Sequence, residues 1–257
     1  SGYMFESALQ AGFISSGMDV TLLGPLPTPG VSFLDNSNNQ VGLVISASHN
    51  LFEDNGIKFF NKDGQKFSLE LERRIEAKLT QEMTAVESIN LGKASRMNDA
   101  QGRYIEFCKS SFTNLDLSGL SILLDCANGA TYSVAPSVFS ELGATVDTIG
   151  ASPDGININQ NCGSTSPDFL KEEIAKGDYD IGIAFDGDGD RILVVSSEGT
   201  VLDGDDILYI LSNDLSNESG VIGTLMTNKA LELYFEEQGI NFSRADVGDK
   251  YVLNALV

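Results

Sequence analysis

Three carboxylates stand at alternate positions directly after an apolar run in the stretch Ile181-Gly182-Ile183-Ala184-Phe185-Asp186-Gly187-Asp188-Gly189-Asp190-Arg191. The apolar run predicts a buried strand, and the interleaved glycines let the chain bend tightly enough for Asp186, Asp188 and Asp190 to converge on one point. Carboxylate oxygens are ligands that suit Mg²⁺, which also keeps coordination positions free for a phosphate or a water molecule. Because three like charges this close repel one another unless a cation lies among them, the stretch predicts a magnesium site at the end of a strand.

Two other interpretations of the same aspartates come from short motifs. An Asp-Gly repeat also occurs as a bare turn between two strands, although charge repulsion counts against a turn without a cation. An EF-hand loop begins with alternating acids too, but it needs Gly at its sixth position and Glu at its twelfth. This chain has Arg191 and Ser197 at those positions, which excludes an EF-hand.

The composition limits the classes of protein and partner. With 257 residues and 42% hydrophobic content, the chain is long enough for two or three globular domains. Its net charge of −21 and pI near 4.2 argue against nucleic acid or an anionic membrane surface as a partner, so an anionic substrate must be met by local cations. No apolar run reaches membrane-spanning length. An odd number of cysteines without metal-ligand spacing predicts a reducing, cytoplasmic compartment: Cys108, Cys126 and Cys162.

The first part of the chain alternates helix and strand signals. A helix is predicted over Tyr3–Ser15 and a strand over Met18–Leu23. A second helix is predicted to start with Thr28 as its N-cap and Pro29 at its first position, and a second strand follows over Val41–Ser46. A strand, a helix and a strand in this order imply a right-handed crossover with the two strands parallel in one sheet. The loop after the second strand is therefore predicted at the carboxyl edge of that sheet, where ligands bind.

That loop runs from Ser46 to Lys58 and contains the only histidine of the chain, His49. From spacing alone, a serine in a polar loop such as Ser48 is an ordinary turn residue, and a lone histidine is more often a surface or hydrogen-bonded group than a catalyst. Lys58 lies past a glycine turn, from which its side chain can return toward the loop, but an exposed lysine is equally compatible with the sequence.

The rest of the chain continues the α/β alternation. Ser68–Gln81 is predicted to form an amphipathic helix that covers a sheet, and the polar, aperiodic segment over residues 82–101 predicts a linker. The acids Asp203, Asp205 and Asp206 are explained as helix-start residues rather than as further metal ligands. These signals predict an α/β protein with mixed sheets in three successive domains, over residues 1–99, 100–199 and 200–257.

Two of these loops resemble signature loops of the α-D-phosphohexomutase superfamily. Ser46-Ala47-Ser48-His49-Asn50 resembles its phosphoserine loop, and Asp186 to Arg191 resembles its Asp-Gly-Asp-Gly-Asp-Arg metal loop. Three further stretches are similar to the bacterial phosphoglucosamine mutases rather than to the phosphomannomutase or phosphoglucomutase branches: residues 126–132, 161–164 and 247–252. The similarity extends over essentially the whole chain.

The resemblance implies a four-domain, Mg²⁺-dependent enzyme that interconverts glucosamine 6-phosphate and glucosamine 1-phosphate through a phosphoserine and a 1,6-bisphosphate, on the route to UDP-N-acetylglucosamine and peptidoglycan precursors. Ser48 would carry the phosphoryl group and join the three aspartates around the metal, which balances the added negative charge. The resemblance makes Lys58 a proton-transfer group, Arg191 a contact to the phosphoryl site and His49 a substrate contact or a support behind the site. A sugar phosphate is the implied partner, and a homodimer is compatible with it.

The chain departs from the superfamily pattern at one loop residue and in the segments that it includes. Leu51 stands where the superfamily usually has proline, which removes no functional group. The resemblance places the superfamily's first strand before Ser1, and its sugar-recognition loop and phosphate-binding domain after Val257. The chain is therefore expected to be part of a longer enzyme, with its first and third domains incomplete, and to be inactive alone.

Three alternatives stay open on the sequence. The first is a phosphomannomutase or phosphoglucomutase of the same superfamily. The second is a haloacid-dehalogenase-type phosphatase, because Phe185-Asp186-Gly187-Asp188 resembles that family's nucleophile motif. In that case Asp186 would attack the phosphate, but the motif expects Thr or Val where Asp190 stands, and the Ser48 loop would have no role. The third is a metal-binding or scaffolding protein without turnover.

Overall fold

The computed structural model describes residues 2–112, 115–213 and 220–256. The chain divides into two compact units, Ser1–Gly199 and Thr200–Val257. Helices and strands alternate in both units, so the predicted α/β class is confirmed. In the described part of the chain, no helix combines the length and the hydropathy needed to cross a membrane. The predicted boundary near residue 100 lies within the first unit and stays a prediction.

The first half of the first unit contains two small sheets. Its elements are α1 (Gly2–Ser15), β1 (Val20–Leu22), α2 (Thr28–Asn38), β2 (Gly42–Ser46), β3 (Gly56–Phe60), α3 (Leu69–Glu76), β4 (Ala94–Arg96) and α4 (Ala100–Ser110). β1 pairs in parallel with β4, and β2 pairs in antiparallel fashion with β3. In the β2–β3 pair, Val44 lies opposite Lys58, and this register fixes where Lys58 leaves the sheet.

Three expectations for this region are wrong. β1 and β2 lie in different sheets, so they do not form the predicted parallel pair. The chain reverses after β2 and returns as β3, which provides a local partner that an argument from element order alone did not include. β4 lies in the segment expected to be a linker. No sequence signal marks this strand, because its three exposed residues show no apolar alternation. The helix predicted over Ser68–Gln81 covers only Leu69–Glu76, and the Ser68 hydroxyl caps it by accepting from the Leu71 amide at 3.3 Å.

The second half of the first unit is built on one larger sheet. Its elements are β5 (Ser121–Asp125), α5 (Thr131–Glu141), β6 (Thr145–Ile149), α6 (Pro167–Ile174), β7 (Ile181–Phe185) and β8 (Ile192–Ser196). These four strands lie in the order β6-β5-β7-β8, with β5 parallel to β6 and β7 and with β8 antiparallel to β7. The apolar run over Ile181–Phe185 is thus a buried central strand, as predicted. Because β5 and β7 are parallel, the loops that follow them emerge at the same edge of the sheet.

One hydrophobic cluster joins the two halves of the first unit. It takes residues from α2, the β2–β3 pair, α4 and the loop before α2 in the first half, and from α5 in the second half. Its buried members are Leu26, Val31, Leu34, Val44, Phe60, Ala100 and Val134. Because these side chains exclude water together, the two halves pack as one body, and the loops that they carry are brought together.

The second unit has its own small core. Its elements are β9 (Val201–Leu202), α7 (Gly204–Asn213), β10 (Val221–Thr224), α8 (Lys229–Glu237), β11 (Phe242–Ala245) and α9 (Asp249–Leu256). β10 and β11 pair in parallel, and Val221, Leu231 and Phe235 are buried together against this pair. The Asp203 carboxylate accepts from the amides of Asp205 and Asp206 at 2.9 and 3.2 Å, which confirms its place at a helix start.

Candidate active site

The three aspartates of the loop after β7 converge as the sequence predicts. Asp186, Asp188 and Asp190 each offer a carboxylate oxygen, and these atoms all lie within 4.8 Å of one another. The turn that brings them together needs a left-handed backbone at Gly189, where φ is 70°. Asp186 and Asp188 are buried, whereas Asp190 reaches the surface. The cluster therefore opens to solvent on one side only.

Asp186 is the most enclosed of the three and is held by the loop itself. Its Oδ1 accepts from the amides of Asp190 and Arg191, both at 3.1 Å. Burial and the charges of Asp190 and Asp188 raise the pKa of Asp186 to about 6, against the opposing hydrogen bond and charge of Arg191. The Arg191 Nε lies 3.9 Å from Asp186 Oδ2 and 3.9 Å from Asp190 Oδ1, and half of its side chain is exposed. Arg191 thus brings a cation to the open side of the cluster.

Asp188 connects the metal loop to the first half of the unit. The Thr28 amide donates to the Asp188 carbonyl at 2.8 Å, and the Thr28 hydroxyl donates to Asp188 Oδ2. The predicted role of Thr28 as an N-cap is wrong: Pro27 occupies the N-cap position of α2, and Thr28 is the first helical residue. Its hydroxyl is therefore free to bind a carboxylate 160 positions away.

Lys58 bridges two of the aspartates. Its Nζ lies 2.5 Å from Asp188 Oδ2 and 3.1 Å from Asp190 Oδ2. Burial lowers the pKa of Lys58, but the hydrogen bonds and charges of Asp188 and Asp190 outweigh burial and raise the pKa above its ordinary value of 10.5. Burial raises the pKa of Asp188. The hydrogen bonds from Lys58 and Thr28, the charge of Lys58 and the nearby Ser48 side chain outweigh burial and bring the pKa of Asp188 below 3.8. Lys58 and Asp188 are therefore both charged at neutral pH.

The Ser48 loop reaches the same place from the end of β2. The Ser48 side chain lies close enough to the Asp188 carboxylate to help lower its pKa, so the Ser48 hydroxyl lies at the edge of the aspartate cluster. The Ser48 backbone is left-handed, with φ at 53°, and its amide donates to the Ser46 hydroxyl at 2.7 Å. His49 follows with its Nδ1 buried and without a hydrogen-bond partner among the described residues. Of the sequence-predicted residues, the structure thus brings Ser48 and Lys58 directly to Asp188.

The cluster fits a magnesium ion. Two of its carboxylate oxygens, Asp186 Oδ2 and Asp188 Oδ1, are buried and have no hydrogen-bond partner in the described part of the chain. A buried charged oxygen without a partner is costly, and coordination to a cation removes that cost. Hard oxygen donors with an open side match what Mg²⁺ requires, since this ion usually keeps positions for water or a phosphate.

Comparison with known proteins identifies the family. The models of phosphoglucomutase/phosphomannomutase alpha/beta/alpha domains I, II and III match residues 1–86, 102–199 and 203–257. The chain belongs to this family. Its metal loop lies in the domain II match, and its Ser48 loop lies in the domain I match, so the resemblance seen in the sequence is confirmed.

Curated relatives point to one branch of the phosphoglucomutase/phosphomannomutase family. Phosphoglucosamine mutases of Legionella pneumophila (strain Corby) and Pseudomonas entomophila (strain L48) are both 56% identical to this chain over its full length. The chain spans 58% and 59% of the length of these two relatives.

Solved structures agree in fold. A phosphoglucomutase/phosphomannomutase family protein from Burkholderia thailandensis has a TM-score of 0.80 at 24% identity, with 100% of this chain and 58% of that chain covered. Aspergillus fumigatus N-acetylphosphoglucosamine mutase, solved in complex with GlcNAc-6P and magnesium, has a TM-score of 0.62 at 17% identity, with 89% of this chain and 61% of that chain covered.

Three residues of the site were not predicted from the sequence. Thr28 binds Asp188, and Asn159 donates to backbone carbonyls of the Ser48 loop. Gly187 lies so close to that loop that an added Cβ would stand 2.6 Å from the Ser48 carbonyl oxygen. None of the three carries a motif of its own, and only the interleaved glycines of the metal loop gave a signal, which predicted a tight turn rather than a contact.

Proposed function

We propose that this chain carries the phosphoryl-transfer centre of a phosphoglucosamine mutase, which interconverts glucosamine 6-phosphate and glucosamine 1-phosphate through a phosphorylated Ser48 and a 1,6-bisphosphate. The observation that carries the proposal is the contact between the Ser48 loop and the metal loop: a Cβ on Gly187 would stand 2.6 Å from the Ser48 carbonyl oxygen, and the Ser48 side chain lies close enough to Asp188 to help lower its pKa. It joins the two loops that define the family in a chain 56% identical to phosphoglucosamine mutases. Family membership also sets aside the phosphatase alternative, in which the Ser48 loop would have no role.

Mg²⁺ is the proposed cofactor, held by Asp186, Asp188 and Asp190 together with Ser48. The two unpartnered oxygens in the cluster support this assignment. When bound, the ion would supply positive charge that offsets the negative charge of a phosphoryl group during transfer. The rest of the catalysis is positioning, which depends on the contacts that the protein itself makes.

The proposed transfer breaks the bond between phosphorus and a sugar oxygen and forms a bond between phosphorus and the Ser48 Oγ. The Ser48 hydroxyl proton goes to Asp188, which lies beside the Ser48 side chain and is ionised because its pKa is lowered. The sugar oxygen that leaves takes a proton from Lys58, whose raised pKa keeps its ammonium group charged. We assign Lys58 as the proton donor and return the proton from Asp188 to Lys58 along their direct 2.5 Å contact.

The charge of the chain restricts how an anionic substrate is bound. The net charge is −21, so the sugar phosphate must be met by local cations. Among the described residues, Arg191 brings an exposed cation to the cluster, while Lys58 is engaged with two aspartates. We assign Arg191 to the transferring phosphoryl group and His49 to the substrate side of the Ser48 loop. The free thiols of Cys108, Cys126 and Cys162 fit the cytoplasmic setting that we propose.

A half-reaction tests the proposal without full turnover. We expect the 257-residue polypeptide not to sustain full turnover, because both cations at the aspartate cluster, Arg191 and Lys58, are assigned to the reacting end of the substrate. The protein is incubated with Mg²⁺ and glucosamine 1,6-bisphosphate labelled with ³²P, and the label is mapped by peptide mass spectrometry. We expect an acid-stable phosphate on Ser48 and no incorporation in a Ser48→Ala variant. Label on Asp186 that hydroxylamine removes would contradict the proposal.

The same assay distinguishes the branches of the family. Glucose 1,6-bisphosphate and mannose 1,6-bisphosphate are compared with the glucosamine compound as phosphoryl donors. The proposed function predicts the highest rate constant over half-saturating concentration for the glucosamine compound. A clear preference for the glucose or mannose compound would assign the chain to the phosphoglucomutase or phosphomannomutase branch instead.

A further inference from the structure

Asn159 ties the Ser48 loop to the sheet that carries the aspartates. Its side-chain Nδ2 donates to the Ser48 carbonyl at 2.8 Å and to the Asn50 carbonyl at 2.7 Å. These two hydrogen bonds use both hydrogens of one amide and span more than 100 positions of sequence. Asn159 is buried, so water does not compete for the two carbonyls.

The loop needs an external support because its backbone is strained at the reacting residue. A left-handed conformation is unfavourable for a residue with a Cβ, and Ser48 adopts it with φ at 53°. Such a conformation persists only where the surroundings fix it. On one side of Ser48 the Ser46 hydroxyl accepts from the amide, and on the other side Asn159 donates to the carbonyl. Among the described residues, Asn159 and Ser46 thus both hold the Ser48 peptide groups by side-chain hydrogen bonds.

The chemistry of Asn159 matches a role as a donor. The backbone N–H of Asn159 donates to the Ala127 carbonyl at 2.9 Å, and the Asn159 backbone is left-handed, with φ at 56°. Its Oδ1 is buried without a hydrogen-bond partner among the described residues, which is unfavourable for a polar atom. Rotating the amide to satisfy Oδ1 elsewhere would turn that oxygen against the two carbonyls of the Ser48 loop. The side chain therefore keeps an unpaired acceptor in exchange for two donors to this loop.

Asn159 also borders the metal loop. A Cβ added to Gly187 would lie 2.7 Å from the Asn159 Nδ2 and 2.6 Å from the Ser48 carbonyl oxygen. The Ser48 carbonyl, the Asn159 amide and the Gly187 backbone thus meet at one point between Asp186 and Asp188. Any movement of the Ser48 peptide at this point changes the distance between the Ser48 hydroxyl and the aspartates.

We propose that Asn159 is a positioning residue that sets the Ser48 hydroxyl at Asp188 for phosphoryl transfer, and this proposal rests on the function proposed above. Asn159 touches the backbone of the loop rather than the reacting atoms, so it acts through the placement of Ser48. A misplacement of about 1 Å can reduce a transfer rate on the order of 100-fold. The effect is expected on the rate constant and not on substrate or metal affinity.

Two variants and a matched control test this role. Asn159→Gly removes both hydrogen bonds while keeping a residue that adopts a positive φ without strain. Asn159→Asp keeps the shape of the side chain but places carboxylate oxygens against two carbonyls. Asn161→Gly is the control, because Asn161 is also left-handed, with φ at 54°, and is exposed.

Four quantities are measured for each protein. They are the rate constant for phosphoryl incorporation into Ser48 from glucosamine 1,6-bisphosphate, the half-saturating concentration of that donor, the Mg²⁺ dissociation constant and the amide hydrogen exchange of residues 46–56. We expect both Asn159 variants to lose about 100-fold in the rate constant, with the donor and Mg²⁺ constants near wild-type values. Hydrogen exchange should become faster in residues 46–56 while β5 and β7 stay protected, and Asn161→Gly should match the wild type in all four.

Specific outcomes would overturn the proposal. Transfer by Asn159→Gly at the wild-type rate would show that Ser48 does not depend on this support. Loss of Mg²⁺ binding and of protection in β5 and β7 together with the loss of rate would assign Asn159 to general folding. Wild-type protein that takes no phosphoryl group would contradict the proposed function rather than this inference. In that case unchanged exchange of residues 46–56 in both variants would still refute the positioning role.

Discussion

Asp35 provides a direct test of the energetics of the first unit, because it is an acid buried away from the candidate site. It lies on α2, is 6% exposed, and its Oδ2 has no hydrogen-bond partner in the described part of the chain. That oxygen faces Gly42 so closely that a Cβ on Gly42 would stand 1.5 Å from it. Burial raises the pKa of Asp35 from 3.8 to about 7.

The raised pKa fixes the direction of the pH dependence. The folded state prefers the protonated acid, so the stabilising contribution is fully present below the unfolded pKa of 3.8 and is lost as pH rises through about 7. With these two pKa values, linkage gives a loss of about 2–3 kcal/mol in the free energy of unfolding between pH 5 and pH 8. Above pH 8 the loss levels off, because the carboxyl group is then ionised in both states.

The measurement compares the wild type with Asp35→Asn, which keeps the shape of the side chain and cannot ionise. Urea unfolding followed by circular dichroism gives the free energy of unfolding at pH 5 and pH 8, and the titration of all other groups cancels in the difference between the two proteins. We expect the variant to gain about 2–3 kcal/mol relative to the wild type between the two pH values. Asp63→Asn, at an exposed position, is the control. An equal difference at both pH values would refute the reasoning.

Three further predictions concern the aspartate cluster. Asp188→Asn should weaken Mg²⁺ binding in titration calorimetry while the fold persists, since it removes one charge from the aspartate cluster. Unchanged binding would show that Asp188 is not a metal ligand, and Glu198→Gln is the surface-charge control. Mg²⁺ affinity of the wild type should fall as pH drops below about 6, because burial and the neighbouring charges raise the pKa of Asp186 to about 6 and protons then compete with the ion. An affinity that does not change between pH 5 and pH 7.5 would argue against Asp186 as a ligand. Gly187→Ala should destabilise the first unit by about 1–3 kcal/mol in urea unfolding and slow phosphorylation of Ser48, because its Cβ would meet the Ser48 carbonyl. Gly204→Ala, with open space around its Cβ, should do neither, and equal behaviour of the two variants would contradict the contact.

The metal loop was predictable from sequence because its parts are neighbours in the chain. A buried strand followed by alternating glycines and aspartates fixes the convergence of Asp186, Asp188 and Asp190 almost locally. The approach of Ser48 and Lys58 to this loop followed from the resemblance to a family and not from the pattern of residues.

The contacts of Thr28 and Asn159 could not be predicted, because they depend on how distant elements pack. Thr28 binds a carboxylate 160 positions away, and Asn159 binds a carbonyl 111 positions away. In the sequence, Thr28 beside a proline indicates a helix cap, and Asn159 is one of several asparagines in a polar loop. The pairing of β2 was mispredicted for a related reason: the rule for crossovers describes neighbours in one sheet, and β1 and β2 lie in different sheets.

The bridge made by Lys58 has a consequence for the exchange of metal. Its ammonium group lies 2.5 Å from Asp188 and 3.1 Å from Asp190, so the resting protein supplies its own counter-ion to the aspartate cluster. Proteins that rely on an ion alone to neutralise clustered ligands unfold when a chelator removes it. Here the lysine is attached to the scaffold and pairs with two of the aspartates without an ion, so we expect the loop to keep its shape after a chelator removes any bound ion. The Mg²⁺ proposed for this centre would then be replaceable, while Lys58 provides electrostatic support to the loop.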